Sequence, residues 1–341
     1  MPGSSTTLLN TITLSEFTDL VEKTFSDVSQ LPEENAQQLF IRDDLSAHTG
    51  NTKRYDEVDT ETFASVKFEG SDAAKARVGV GYNKTMTAKR IAKEIDITWE
   101  MRRYNKHVEV GNKLVNLSKF CPTRLELDLT HVFTFCTSTS YTDMDGQTVD
   151  VTGGDGLQIV YATHTLAFSS TTWRNRVSGD PAFSQGSLES AELLTTTDIL
   201  SNFGEKRVMN FNTIITGSDP NTKRAVKQVL ESTADVDASQ SGIMNVKRGS
   251  YRHVELPWLA TTATGANDST KRRWWGIVAS GQGVQGWQAY LGVFENANLK
   301  TPAPGNNGED VHSDTWTYGA RMSYGICALS GRGLIMSCPA S

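Results

Sequence analysis

The stretch that constrains the fold most is RYNKHVEVGNKLVNLSKFCPTRLELDLTHVFTF, residues 103–135. Its apolar side chains at Tyr104, Val108, Leu114, Val115, Leu117 and Phe120 mostly recur at three- and four-residue steps. Leu125, Leu129, Val132 and Phe133 carry that spacing on, as a helix with one buried face requires. Only Gly111 and Pro122 interrupt it. Pro122 suits the first turn of a second helical segment, where no N–H is needed. The expectation is a long, gently kinked helix laid against a sheet. Leu125, Leu127 and Leu129 also alternate, so a strand is the other reading of that second segment. Just upstream, in the run Ile91 to Met101, Ile91, Ile95, Ile97 and Trp99 predict a half-buried strand feeding the helix.

Ahead of that strand lie two segments with little core of their own. Within residues 1–52, Leu14, Phe17, Leu20, Val21 and Phe25 fit a short amphipathic helix with Ser15 as a cap. The following LPEENAQQLFIRDDLSAHTGNT is polar and cannot fold alone, so it either lies on another surface or frays. Residues 53–90 read as two long strands, with Phe63, Val66 and Phe68 leading in and Val78, Val80 and Tyr82 leading out. Glu69, Gly70, Ser71 and Asp72 form the turn, and charge flanks it at Asp56, Glu57, Asp59, Glu61, Lys67, Lys75 and Arg77. A lone two-stranded ribbon is marginal in water, so it needs a neighbour: its own domain or another copy.

Residues 137–156 are turn-rich and mark a boundary. Beyond them the chain changes to short elements. Strands are expected at Leu157–Ala162, Asn212–Thr216, Tyr251–Leu256, Trp274–Ala279, Trp287–Phe294 and Thr315–Leu329, with a helix at about Ser187–Asn202. Asp219-Pro220 opens a second helix with Ala225, Val226, Val229 and Leu230 on one face. A polar loop runs to Ser184 and another spans Thr233–Met244.

Composition limits the function classes. At 38% hydrophobic and 21% charged, the 341 residues are globular rather than disordered. No apolar run approaches the ~20 residues of a membrane span. The start, MPGSSTTLLNTITLSEF, lacks a secretion signal's order, so residence in a cytosol is expected. Cys121, Cys136, Cys327 and Cys338 form no CxxC pair and are expected as buried thiols. The net charge of −6 carries no cationic excess for gripping nucleic acid.

No phosphate-binding loop, dinucleotide fingerprint, HExxH or GxSxG elbow is present, and the six histidines are scattered. Asp143, Asp145 and Asp150 around Gly146 hint at a calcium loop, but a hairpin turn fits their spacing better. Lys271, Arg272, Arg273, Trp274 and Trp275 fit either a single-strand stacking platform or, more simply, a loop running into a buried strand. Arg248-Gly249 and Arg332-Gly333 read as turns. No catalytic constellation, cofactor site or metal site emerges.

The order of parts resembles the major capsid protein of tailed bacteriophages, the HK97-like fold, and most of all the Mu-like major head subunit. The stretches that carry the resemblance are Asp155-Gly156-Leu157 through Ala162, Thr163 and His164, then TIITGSDPNTKRAVKQVL, then NVKRGSYRHVELPWL, then Arg273-Trp274-Trp275, then RMSYGICALSGRG. Coverage is roughly residues 55–335. The family's usual His-Pro is His164-Thr165 here, and the loop of the 170s is distinctive.

The resemblance implies an α+β subunit with an N-terminal arm (1–52), an extended hairpin loop (53–90) and a peripheral domain with a spine helix (91–154). It further implies an axial domain (155–310) and closing strands returning to the peripheral domain (311–341). Lys67, Glu69, Gly70, Asp72, Lys75 and Arg77 would contact neighbouring subunits. The chain would not be an enzyme. It would assemble in the host bacterial cytoplasm into hexamers and pentamers of an icosahedral virion shell, enclosing DNA without reading its sequence. Its partners would be a portal and a separate scaffolding or decoration protein. Some relatives cross-link a loop lysine, a role open to Lys67 or Lys75. An encapsulin-type nanocompartment is the alternative on the same fold.

Overall fold

The computed structural model describes residues 13–29, 36–236, 242–281, 286–302 and 314–340. Residues 1–12 and 30–35 of the expected arm, 237–241 of the expected loop and 303–313 lie outside the described residues.

The chain runs α1 (Leu14–Ser29), β1 (Ile41–Asp44), β2 (Thr52–Thr60), β3 (Val78–Thr87), β4 (Lys89–Thr98), α2 (Trp99–Arg103) and α3 (His107–Thr134). After a small hairpin, β5 (Ser140–Thr142) and β6 (Thr148–Asp150), come α4 (Gln185–Thr197), β7 (Thr213–Thr216), α5 (Pro220–Glu231) and β8 (Arg252–Glu255). It ends with β9 (Trp275–Val278), β10 (Ala289–Lys300), β11 (Thr315–Ala328) and β12 (Leu334–Ser337).

Two four-stranded sheets organise the molecule. The first has the order β1-β10-β11-β4, antiparallel except for β1 beside β10. The 28-residue α3 buries Leu114, Leu117, Leu125, Leu129 and Phe133 in one core with Tyr318, Ala320 and Tyr324 of β11. The second sheet, β12-β9-β7-β8, pairs β7 and β8 in parallel, with α5 as the crossover between them. Its core joins Leu188, Ala191 and Leu194 of α4 and Val226 and Val229 of α5 to Ile214, Trp275, Ile277 and Ile335.

Several expectations change at this level. Pro122 does not start a second helix: α3 is one helix across it, and the strand reading of Leu125–Leu129 is overturned. Both faces of residues 125–134 are buried, so periodicity alone could not separate helix from strand there. β4 stops at Thr98, whose side chain caps α2 by accepting from the Met101 N–H. Thr13, not Ser15, caps α1, in a reciprocal box where its Oγ1 accepts from the Glu16 N–H and Glu16 Oε2 accepts from its N–H at 3.0 Å. Leu157–Ala162 is not a strand; Gln158 makes an isolated bridge to Thr152, and the segment is held by Asn175. β10 lies in the first sheet. Of the closing strands, β11 returns to β4 while β12 joins β9.

The arm changes most. Phe17, Val21 and Phe25 of α1 are buried on the chain's own core, with the Phe17 ring 5.4 Å from Trp316. β1 is a strand of the first sheet. Three such burials are worth on the order of 6 kcal/mol, so the described arm is seated at home.

Candidate assembly surface

Among the described residues, the ribbon β2–β3 ends in an exposed segment away from the two cores. Its two strands pair from Thr52–Thr87 to Thr60–Val78, and residues 61–77 beyond them lie outside any strand. The expected lead-in strand, Phe63 to Phe68, is therefore irregular loop. At the far end the Ser71 N–H donates to the Phe68 carbonyl, and Gly70 takes φ +77°, a conformation cheap only for glycine.

The sequence-selected residues divide here. Lys67, Glu69, Gly70, Asp72 and Lys75 are all exposed, and the four charged ones form no ion pair or hydrogen bond through their side chains among the described residues. Arg77 differs: its Nε donates to Glu61 Oε1 at 2.6 Å, and its guanidinium lies 5.5 Å from the Phe203 ring centre. The Arg77 backbone and side-chain hydrogen bonds hold the Glu61 carboxyl below its usual range. Between the charges stand Phe63, Val66 and Phe68, exposed by 71%, 79% and 73%. Burying such side chains is worth about 1.5–3 kcal/mol each, a gain that this chain alone leaves unrealised.

The root of the ribbon is fixed by residues that sequence reasoning missed. Glu57 lies on the inward face of β2, beside a register shift between Asp56 and Val58, and is 2% exposed. Arg332, expected as a turn residue, is equally buried and donates through Nη1 to Glu57 Oε1. Its Nη2 donates to Asn202 Oδ1 at 2.8 Å and its Nε to the Leu200 carbonyl at 2.7 Å, with Trp173 stacked below. Arg207 approaches Glu57 at 3.7 Å, and burial together with neighbouring Arg332 lowers its pKa. The Asn202 N–H donates to Asp59 at 2.8 Å. Opposite, Gly79 lets β3 close on Phe168, whose ring would lie 2.4 Å from any added Cβ. The one available signal was Glu57 itself, a charge on the inward face of an alternating strand.

Other candidates resolve into structure. Asp143 sits in the β5–β6 hairpin turn, where its Oδ1 accepts from the N–H groups of Asp145 and Gln147, both at 2.9 Å. Its Oδ2 takes Lys89 at 2.7 Å, and Asp145 takes Arg124 at 3.0 Å. Burial raises the Asp143 pKa, but the Lys89 bond and these backbone donors outweigh it and leave it lowered. Trp274 and Trp275 are buried and the Lys271 ammonium lies 4.0 Å from the Phe135 ring centre, so no open stacking platform exists there. His164 is wedged between Asp155 (2.7 Å) and Asn175 (3.2 Å) with no nucleophile bonded to it. All four cysteines are free and buried. Among the described residues no helix is long and apolar enough to cross a membrane.

No protein-family model matches the sequence, and no curated protein matches it either. Solved structures do. The asymmetric unit of the bacteriophage PhiM1 mature capsid is 10% identical, with a TM-score of 0.51, over 90% of this chain and 87% of that one. The capsid structure of the cyanophage P-SCSP1u is also 10% identical at TM-score 0.51, covering 88% and 86%. The structure of Gordonia phage Cozz is 11% identical at TM-score 0.50, covering 90% and 88%. The class is thus defined by shape: this chain has the α+β fold of phage capsid subunits, shared across most of its length at identities too low to carry more than the fold.

Proposed function

We propose that this protein is the major head subunit of a tailed double-stranded DNA bacteriophage, closing into an icosahedral shell of hexamers and pentamers around the genome. The observation that carries the reading is the tip, residues 61–77. It presents Phe63, Val66 and Phe68 to solvent on a ribbon whose root is locked by buried charge. A surface carried on a fixed root but unsatisfied at home suits a contact made on a sister copy, repeated around a lattice. Permanent interfaces run from about 2,000 to over 5,000 Å². The free charges Lys67, Glu69, Asp72 and Lys75 would set register more than affinity, since exposed pairs contribute about 0–1 kcal/mol. The sequence resemblance favours a subunit of the Mu-like kind. The net charge of −6 suits a wall that encloses DNA without holding it. A portal and a separate scaffolding or decoration protein complete the particle.

Electron microscopy of the purified protein tests the reading. Wild type forms closed shells. Deletion of Glu69–Lys75, which removes no strand residue, leaves a folded subunit that forms none. Normal particles from the deletion would remove the tip from the mechanism. Shells filled with a cargo protein and lacking DNA in producing cells would transfer the reading to a nanocompartment.

A further inference from the structure

Two of the four buried thiols meet, although the chain between them is about 200 residues long. Cys136 directly follows the cap of α3. Its N–H donates to the Phe133 carbonyl, and its own carbonyl accepts from the Val160 N–H at 3.0 Å. Its thiol is turned toward β12, with Sγ 3.6 Å from Met336 Sδ. Successive residues of a strand face opposite ways, so Met336 and Cys338 look to one side. The packing agrees: Leu334, Met336 and Cys338 join the core that holds Cys136, whereas Ile335 joins the other. The Cys338 backbone is fixed by its N–H, which donates to Asp180 Oδ1 at 3.1 Å. Beside it, Ser337 Oγ donates to the Pro181 carbonyl at 2.7 Å. A hydrogen bond with Cys136, together with burial, raises the Cys338 pKa; Asp180 adds to the rise and Arg176 opposes it. The remaining cysteines lie elsewhere, Cys121 midway along α3 and Cys327 in a small core with Leu45 and Met86.

We propose that Cys136 and Cys338 form a disulfide site, converted by a small-molecule disulfide to one intrachain bond that fastens the end of α3 to the end of β12. The Cys338 thiolate starts the exchange, since Cys338 is 8% exposed and Cys136 is fully buried. It attacks the S–S bond of the reagent; one half leaves as a thiolate, takes up the proton that Cys338 released, and a mixed disulfide remains. The Cys136 thiolate then attacks Cys338 Sγ, and the second half leaves and takes the Cys136 proton. Two electrons thus pass from the protein thiols to the reagent, which ends as two thiols. A reducing thiol pool keeps such a pair open, and oxidising surroundings close it. No CxxC spacing marks the site, because the fold brings the two sulfurs together. Since α3 belongs to the first core and β12 to the second sheet, the bond ties the two halves of the subunit to each other. The proposal concerns one subunit and stands apart from the shell reading.

Thiol counting tests it. The native protein is treated with glutathione disulfide at about pH 8.5, where more thiolate is present, then quenched, denatured and assayed for free thiols. The count falls from four to two, and peptide mapping joins Cys136 to Cys338 while Cys121 and Cys327 stay free to alkylate. The oxidised chain runs as a monomer on a non-reducing gel. Its urea midpoint lies about 1 M above that of the reduced protein, and dithiothreitol brings it back. Cys136→Ser, which lacks the second thiol, stops at a glutathione adduct on Cys338; the wild-type readouts do not depend on that variant. A wild-type count that stays at four overturns the proposal. So does a wild-type adduct held on Cys338 with Cys136 still free, since the second sulfur is then out of reach. Dimers cross-linked through Cys338, or mapped pairs that involve Cys121 or Cys327, overturn it equally.

Discussion

Glu57 and His131 show how much one buried group decides. Glu57 is paired with buried Arg332, with half-buried Arg207 3.7 Å away, so its removal leaves the Arg332 guanidinium without its carboxylate in a dry site. Breaking such a pair from one side costs about 3–5 kcal/mol, whereas replacing both partners by apolar groups costs far less. Glu57→Ala is therefore expected to lose about that amount in urea denaturation, and Glu57→Ala/Arg332→Met to recover part of it. Amide exchange in β2 and β3 should rise in the single variant. His131 is buried on α3 between Phe135 and Tyr141, with Nε2 3.3 Å from Thr261 Oγ1. Burial pulls its pKa down to about 4; Asp128 opposes this, while Lys271, Arg124 and Lys89 add to it. The unfolded chain, titrating near 6.5, binds the proton more readily than the folded one. The neutral imidazole's contribution is thus complete above pH 6.5 and is lost as pH falls toward 4, by about 3 kcal/mol in all. His131→Gln should lose about 2 kcal/mol less than wild type between pH 7 and pH 5, measured as the shift in urea midpoint.

Among the elements, α3 carries an internal conflict that can be measured. Pro122 removes the N–H that would bond the Ser118 carbonyl, an interior proline costing about 3 kcal/mol against alanine. Proline also restricts the unfolded chain, which returns up to about 1 kcal/mol. The helix persists because its second half is buried from Leu125 to Thr134, and that tertiary gain exceeds the local penalty. Pro122→Ala should therefore stabilise the subunit by about 2 kcal/mol in denaturant unfolding, with the strand content of the first sheet unchanged by circular dichroism. The ribbon shows the opposite balance: β2 and β3 have correct strand chemistry, yet pairing ends at Thr60 and Val78. Beyond that point no neighbour covers Phe63, Val66 or Phe68, and alternation without a surface to bury against does not hold a strand.

For the molecule as a whole, what was legible tracks what is local. The helical spacing of the first half of α3, the Asp219–Pro220 helix start, the strands β8, β9 and β11 and the turn chemistry around Gly146 could all be read directly, because each depends on neighbours a few residues apart. The charges of the tip were readable too, since they cluster around the turn of a ribbon with little core of its own. The lock at its root was not: Glu57 and Arg332 are 275 residues apart, and nothing in either neighbourhood names the other. Nor was the seating of α1, whose apolar stripe fits its own core and a neighbour's equally well until Trp316 and Tyr318 are seen beneath Phe17. The sequence by itself determined the helices and strands with one side that avoids water, such as α5 and β8, because backbone periodicity and side-chain hydrophobicity are local properties. Only the tertiary structure decided which surfaces are used up within one chain and which remain for another, because burial is a relation between segments that the linear order does not contain.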